Sequence, residues 1–423
     1  MDRKFLISGG GTGGHIYPAI AIADELKLRF SNCKILFTGS NSRMEMNKIP
    51  QNGYKIRGLW ISGFNRKSFF LNFLFPLKLI VSLAQSIKIL HKFKPNAVIG
   101  TGGFASGPTL FIASLLKIPI FIQEQNSYPG ITNKILSKYA DKIFVSYENM
   151  EKFFPKEKIL NYGNPIRNRF GSVDKLKKEK FIKRNQINLS NNTLLFLGGS
   201  LGSNVINQFV INNSNFFEKN NYNVILQCGE RFKNIIKENK SSNIKILPFI
   251  DQMPTILSLS DLIISRAGAI IISELSFIGK PVIFIPSPNV AEDHQTKNAK
   301  YLYDLEAAEI IHENEIDYKL KNVINKILLS QKYRVQLARN FKSLSNLNST
   351  KLIAFDHYFN EMIMYPSLNH QNNYQPLLVY VQYNYLLIMY DQSQILSCSH
   401  FVFVSIVHNH LLIQKQRVHR NIN

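Results

Sequence analysis

The chain has 423 residues, 45% of them hydrophobic, enough to bury more than one core and too apolar for a disordered protein. Its formal charge of +23, from 51 Lys and Arg against 28 Asp and Glu, is spread along the chain and favours anionic partners: nucleic acid, acidic lipid headgroups or nucleotide substrates. Three distant cysteines without Cys-x-x-Cys spacing, Cys33, Cys228 and Cys398, suggest neither a disulfide framework nor a zinc site and fit a reducing cytoplasm.

In chain order, the apolar run before Gly9 is too short for a signal peptide. The strand-like run FLIS leads into a glycine loop and an amphipathic stretch from Pro18 to Phe30, and then come KILFTG, AVIG, IPIFIQE and KIFVS. Short β-rich runs alternating with helical patterns indicate a parallel sheet with crossover helices. A second series follows Gly163, Asn164 and Pro165: TLLFLGG, NVILQCG, IKILPFI, DLIISRAG and PVIFIPS. The expected fold class is α/β, with two doubly wound units joined near GNP and a cleft between them. The Lys-rich run KLKKEKFIKR (175–184) reads as a solvated helix face, and the Asn-rich segment 211–221 as a surface loop. No run reaches the roughly 18 uninterrupted apolar residues of a spanning helix.

Three glycine loops, GGGTGGHIYP (9–18), TGGFASGP (101–108) and GGSLGSN (198–204), fall at strand ends, where open parallel sheets bind ligands. Glycine lets backbone N–H groups approach a ligand, and the following helix aims its positive end at the same point. Gly9, Gly11 and Gly14 formally satisfy G-x-G-x-x-G, so a dinucleotide-dependent dehydrogenase stays open, although KILFTGSNSR lacks the ribose-binding acid. No Gly-Lys-Ser/Thr follows any loop, which excludes a Walker P-loop. His15 enters the first helix, where an uncharged imidazole either accepts a proton or merely caps the helix. Glu274 suits the two hydroxyls of a ribose, or is a helix-surface charge. Arg167 suits a diphosphate, or a structural ion pair, and Gln295 can donate and accept toward sugar hydroxyls. Without an Asp-x-Asp pair or a His cluster, no metal and no cofactor are expected, and a transferase using a nucleotide sugar fits better than a kinase or a paired-carboxylate hydrolase.

The segments GGGTGGHIYPA, TGGFASGP, EQNSYPGITNK, GNPIR, GGSLGSNVIN, FIDQM, SRAGAIIISE and EDHQTKNA, in this order over roughly residues 3 to 364, resemble glycosyltransferase family 28, the UDP-N-acetylglucosamine transferases of the second lipid-linked step of peptidoglycan synthesis. The resemblance implies a GT-B fold of two Rossmann-like domains. Residues 1–163 would receive the lipid acceptor and 164–345 UDP-N-acetylglucosamine; 346–364 would return to the first domain as a helix, and 365–423 would be an atypical, poorly packed tail. It implies an inverting transfer to the C4 hydroxyl of an undecaprenyl-diphosphate-linked muramoyl peptide, and through it a part in cell-wall biogenesis, cell shape and division. Thr12, Gly13, Gly14 and Asn126 would then line the donor sugar, with His15 as base. Arg167 and Ser200 would hold the diphosphate, Ile250 would meet uracil through its main chain, Ala269 to Glu274 would take diphosphate and ribose, and Gln295 the sugar hydroxyls. Phe104 and Ile271 depart from the family's usual Tyr and Thr. Another nucleotide-sugar enzyme of this fold, a glycolipid synthase or a UDP-sugar epimerase, is the nearer alternative, and a non-catalytic lipid- or nucleotide-binding protein a further one.

A lipid-linked acceptor gives meaning to RKSFFLNFLFPLKLIVSLAQSIKILHKFK (66–94), which reads either as a basic amphipathic face lying in the headgroup region or as a crossover helix buried on its sheet. The expectation is a peripheral protein on the cytoplasmic face of the bacterial inner membrane, with an anionic membrane surface and no nucleic acid as partners. The resemblance ends near Tyr365; the tail beyond it has one acidic residue and no glycine.

Overall fold

The computed structural model describes residues 3–64, 72–166, 173–199, 202–238, 241–250, 253–290, 293–346 and 348–355, together with 381–382, 385–387, 400–407 and 410–417. Residues 1–364 and 365–423 form two separate units.

In the first unit, seven strands form one sheet: β1 (Lys4–Gly9), β2 (Lys34–Ser40), β3 (Lys55–Leu59), β4 (Ala97–Gly102), β5 (Ile120–Gln123), β6 (Lys142–Val145) and β7 (Ile159–Asn161). They lie in the order β3-β2-β1-β4-β5-β6-β7, all parallel. Six more, β8 (Thr193–Leu197), β9 (Asn223–Gln227), β10 (Ile244–Leu247), β11 (Leu262–Ser265), β12 (Val282–Phe284) and β13 (Glu309–Ile310), make a second parallel sheet in the order β10-β9-β8-β11-β12-β13. Both orders are doubly wound, reversing between β1 and β4 and between β8 and β11, and such switch points are where ligands bind. Central strands are covered on both faces: β4 and β8 are buried along their whole length, which is why they read as continuous apolar runs.

The helices around the first sheet are α1 (Gly13–Arg29), α2 (Glu45–Gln51), α3 (Phe75–Phe93), α4 (Ser106–Leu115) and α5 (Ile131–Leu136); those around the second are α6 (Lys175–Asn185), α7 (Asn204–Asn212), α8 (Ser214–Lys219), α9 (Met253–Leu259), α10 (Ala269–Ile278), α11 (His294–Asp304), α12 (Ile316–Leu329) and α13 (Gln331–Ser343). No residue of α6 is buried, as a solvated face requires. The Asn-rich segment 211–221 corrects its reading as a surface loop: it carries the end of α7 and all of α8, whose Phe217 is fully buried. One aromatic ring in the core outweighs the low helix propensity of the asparagines around it.

After α13 the chain returns to the first sheet. Helix α14 (Ser349–Phe355) buries Ile353 and Ala354 in the core that holds Phe5, Ile7 and Ile16, and Thr350 donates to the carbonyl of Ile166 at 3.0 Å. In the second unit, β14 (Val381–Gln382), β15 (Tyr385–Leu387), β16 (His400–Val407) and β17 (His410–Arg417) pair in sequence as an antiparallel sheet; the packing expectation for this tail concerns side chains outside the described residues.

Candidate functional site

At the first switch point, the loop after β1 meets the loop after β4. The pairing of β1 with β4 shifts register between Ser8 and Gly9, opening the strand end where α1 begins. His15, half-buried in the first turn of α1, directs Nδ1 at the carbonyl oxygen of Thr101 (2.9 Å) and at Oε1 of Gln125 (3.1 Å). A carbonyl oxygen only accepts, so Nδ1 carries a hydrogen, and the uncharged ring has its lone pair at Nε2. Thr101 returns a bond from Oγ1 to the His15 carbonyl at 2.8 Å. Two glycines make room for the ring: Gly102 and Gly103 have φ of +95° and +80°, and a Cβ on Gly102 would stand 3.0 Å from His15 Nδ1. Thr12, Gly13 and Gly14 lie at the start of the same helix with Thr12 as N-cap, so the N–H groups of Gly13 and Gly14 have no intrahelical partners.

The loop after β5 carries Asn126 and is shaped by Glu124, a buried carboxylate that accepts from the Asn126 backbone (3.0 Å), its side-chain nitrogen (3.1 Å), the Gly130 backbone (3.2 Å) and Asn133 Nδ2 (2.8 Å). Sequence reasoning passed over Glu124, although it stands two residues from Asn126 in EQN. Phe104 lacks a hydroxyl but supports the first loop by packing, with its ring 3.4 Å from where a Cβ on Gly11 would be and the Arg43 guanidinium 5.9 Å from its centroid.

At the second switch point, α10 begins at Ala269 with Gly268 as N-cap, and Glu274 lies one and a half turns on. Ile250, in the loop after β10, is buried, and its N–H donates to Gln227 Oε1 at 3.2 Å, while Gln227 Nε2 donates to the Gly199 carbonyl at 3.3 Å. Gln227, unnoticed in the sequence, therefore joins the third glycine loop to Ile250 and leaves the Ile250 carbonyl as its main-chain contact group. Arg266 ties the same region together: it donates to the Ile285 carbonyl (3.1 Å) and to Ser203 Oγ (2.6 Å) and pairs with Glu313. Gln295, on α11, accepts from the Ser287 backbone at 2.9 Å, which directs its oxygen inward and leaves its amide nitrogen as donor. Ile271 packs with its neighbours on the core under α10. Arg167 and Ser200 lie outside the described residues.

The two halves meet through polar contacts. Asn298 of α11, fully buried, accepts from the Ser127 backbone (3.0 Å) and hydroxyl (2.9 Å) and donates to Asn126 Oδ1 (3.2 Å). Asn164 of the linker donates to the Gln125 carbonyl (3.1 Å) and to Ser273 Oγ (3.0 Å), next to Glu274. Tyr147 meets Tyr301 edge-on with centroids 5.0 Å apart. Burial pushes the Tyr147 phenol well above its ordinary value, Tyr301 adding to the effect, so the pair meets uncharged. Helix α1 lies against α10. His15 and Asn126 are thus brought together by Gln125, and Asn126 to the half carrying Ala269, Glu274 and Gln295; Ile250 sits apart, under the third loop. A helix start beside a histidine lone pair on one wall, and a second helix start with a carboxylate on the other, can take a proton from an alcohol while stabilising a leaving anion.

Residues 5–145 match the family profile of the glycosyltransferase family 28 N-terminal domain and 193–353 that of the C-terminal domain. The chain is 51% identical to a protein of Flavobacterium psychrophilum over 83% of this chain and 96% of that one, and 47% identical to one of Christiangramia forsetii over 83% and 96%. Both relatives are named UDP-N-acetylglucosamine--N-acetylmuramyl-(pentapeptide) pyrophosphoryl-undecaprenol N-acetylglucosamine transferase. Among solved structures, Acinetobacter baumannii MurG matches with a TM-score of 0.66 and 25% identity, over 83% of this chain and 98% of that one. A UDP-GlcNAc 2-epimerase from Neisseria meningitidis matches with a TM-score of 0.59 over 85% and 99%, and its 16% identity shows a shared fold alone.

Proposed function

The chain belongs to glycosyltransferase family 28, and from that membership we infer that it transfers N-acetylglucosamine from UDP-N-acetylglucosamine to the C4 hydroxyl of an undecaprenyl-diphosphate-linked N-acetylmuramoyl peptide, the lipid-linked step of peptidoglycan synthesis. The observation that carries the reading is the 51% identity, over most of both chains, to a relative named for this reaction; an epimerase reading has only a shared fold behind it, and a dehydrogenase reading only the spacing of Gly9, Gly11 and Gly14. Residues 1–163 form the acceptor side and 164–345 the donor side, and α14 closes back on the first domain.

His15 Nε2 takes the proton of the attacking hydroxyl, its tautomer held by Thr101 and Gln125. The new bond forms at the anomeric carbon as the bond to UDP breaks on the opposite face, so the α-linked donor gives a β-linked product. Charge on the departing diphosphate falls at the start of α10, with Arg167 and Ser200 completing the site. Thr12, Gly13, Gly14 and Asn126 line the sugar, the Ile250 carbonyl meets uracil, Glu274 the ribose, and Gln295 the sugar hydroxyls. The decisive experiment is transfer of radiolabelled N-acetylglucosamine onto the lipid-linked acceptor with and without EDTA. Transfer that survives EDTA is the expected result. Tight UDP binding with release of an epimerised sugar, and no transfer, would move the protein to the epimerases.

Helix α3 supports peripheral attachment to an anionic leaflet on the cytoplasmic side of the inner membrane. Its buried positions are Ser82, Ser86 and Leu90, the two hydroxyls satisfied by the helix's own carbonyls. Its outer face leaves Leu77 50% and Ile80 65% exposed, next to Phe73 at 87%. Such an apolar face among Lys78, Lys88 and Lys92 suits the headgroup boundary. Phe69 and Phe70 of the same stretch lie outside the described residues. No helix among the described residues is long and apolar enough to cross a membrane. Changing Phe73, Leu77 and Ile80 together to Ser is expected to weaken binding to vesicles containing acidic lipid about tenfold or more, at roughly 25 cal/mol per Å² of apolar area, with unchanged melting; sedimentation of the variant with vesicles as efficiently as wild type would refute the attachment.

A further inference from the structure

We propose that Glu45 is a positioning residue for this transfer, holding the first glycine loop in the shape that sets His15 and the start of α1 at the cleft. The inference rests on the reading above but concerns a residue with no contact to either substrate in it.

Glu45 opens α2 and is fully buried. Its two carboxylate oxygens are divided between two strand ends: Oε2 accepts from the Gly11 backbone at 3.0 Å, and Oε1 from the Ser40 backbone at 2.9 Å. No ion pair to Glu45 occurs among the described residues, so backbone dipoles alone answer a buried acid, which costs free energy unless both bonds are made. The surrounding sequence is cut to fit it. A Cβ on Gly10 would stand 2.2 Å from Oε1, and a Cβ on Gly39 2.6 Å from the Glu45 Cγ, so a glycine on each strand end leaves space for one side chain.

The strap explains a feature of the loop that phosphate binding does not. Gly11, at φ +89°, turns its N–H inward to Glu45, so this donor is withheld from any anion in the cleft. The donors left to face the cleft are those at the start of α1, in whose first turn His15 is anchored to Thr101. Glu45 thereby fixes the loop from below while Thr101 and Gln125 fix the ring from the side. Loss of either anchor lets the base drift from the hydroxyl, and a displacement of about 1 Å can cost on the order of 10²-fold in rate.

Glu45→Gln keeps the size but sets an N–H donor against one of two N–H groups. The expected result is a 10- to 100-fold lower kcat with the KM for UDP-N-acetylglucosamine and the affinity for UDP within about twofold of wild type, because the groups that take uracil, ribose and diphosphate lie on the other half; Glu45→Asp, which keeps the charge on a shorter stem, should recover part of the loss. Amide hydrogen exchange in the full chain supplies a readout independent of turnover: the Gly11 amide should exchange at least tenfold faster in Glu45→Gln. Wild-type kcat in folded Glu45→Gln, unchanged exchange at Gly11, or a donor KM that rises in step with the loss of kcat would each overturn the proposal. If Glu45→Gln does not fold, Glu45→Asp carries both measurements. If the wild-type protein itself fails to transfer, the functional reading falls, and the exchange result still decides whether Glu45 holds the loop.

Discussion

His15→Ala is expected to lower kcat by roughly 10²- to 10⁴-fold while leaving the KM for UDP-N-acetylglucosamine within a few-fold of wild type. The Thr101 carbonyl obliges Nδ1 to be the protonated nitrogen, so the ring presents a lone pair at Nε2 before substrate arrives and needs no rearrangement to accept a proton. When it does so, Nδ1 still points at the same two oxygens, which hold the ring in place. His15→Asn separates the two roles of the side chain: an amide can keep a bond to Thr101 but cannot accept the proton, so it should be nearly as slow as the Ala variant while melting like wild type. Added imidazole should restore part of the activity of His15→Ala. Steady-state rates within about fivefold of wild type for both variants would remove His15 from the proton transfer.

Gly103→Ala should be nearly as damaging, by a different route. The new Cβ would lie 2.3 Å from the Gly10 carbonyl oxygen and 3.2 Å from Cδ2 of His15, at a φ of +80° that L-residues rarely adopt. A backbone oxygen cannot rotate aside as a side chain does, so the loops after β1 and β4 must separate. With strain and displacement together, a loss of about 2 to 3 kcal/mol of stability is expected, along with on the order of 10²-fold in kcat. Thermal melting and single-turnover transfer on the same preparation test this. A variant that melts and turns over like wild type would mean that the two loops are not in contact in solution.

The central strands of both sheets and the glycine loops at their ends were legible because strands buried on both faces are continuously apolar and because glycines mark close backbone approach. Within residues 1–364 three strands were not foreseen, β3, β7 and β13, and all three are sheet edges. An edge strand has fewer neighbours to cover it; β3 alternates exposed and half-buried residues until Leu59, and β7 has no buried residue, so neither leaves an apolar run. The helix after β11 was expected to begin near Gly268, which is its N-cap, whereas α1 begins five residues before Pro18, since two glycines gave no helical pattern. The residues to which we assign chemistry, His15, Glu274 and Gln295, stood out by type and neighbourhood. The buried polar groups that hold them, Glu45, Glu124, Gln125, Gln227 and Asn298, carry no periodic signal. Their value lies in bonds spanning up to 172 residues of chain, which no local window contains.

The Asn298 bonds to Ser127 and Asn126, and the Asn164 bond to Ser273, join the two halves to which we assign acceptor and donor. Each such bond contributes about 0.5 to 1.5 kcal/mol net, so separating the halves carries a cost of a few kcal/mol, and any ligand whose fit depends on their spacing draws on that same quantity. Affinities for donor and acceptor are then linked variables. Whatever factor a bound acceptor adds to UDP affinity, bound UDP must return to the acceptor, because a thermodynamic cycle closes whichever way it is travelled. Removing Asn298 should shrink both factors together, which makes the asparagine a term in the order and cooperativity of substrate binding as well as a contact in the fold.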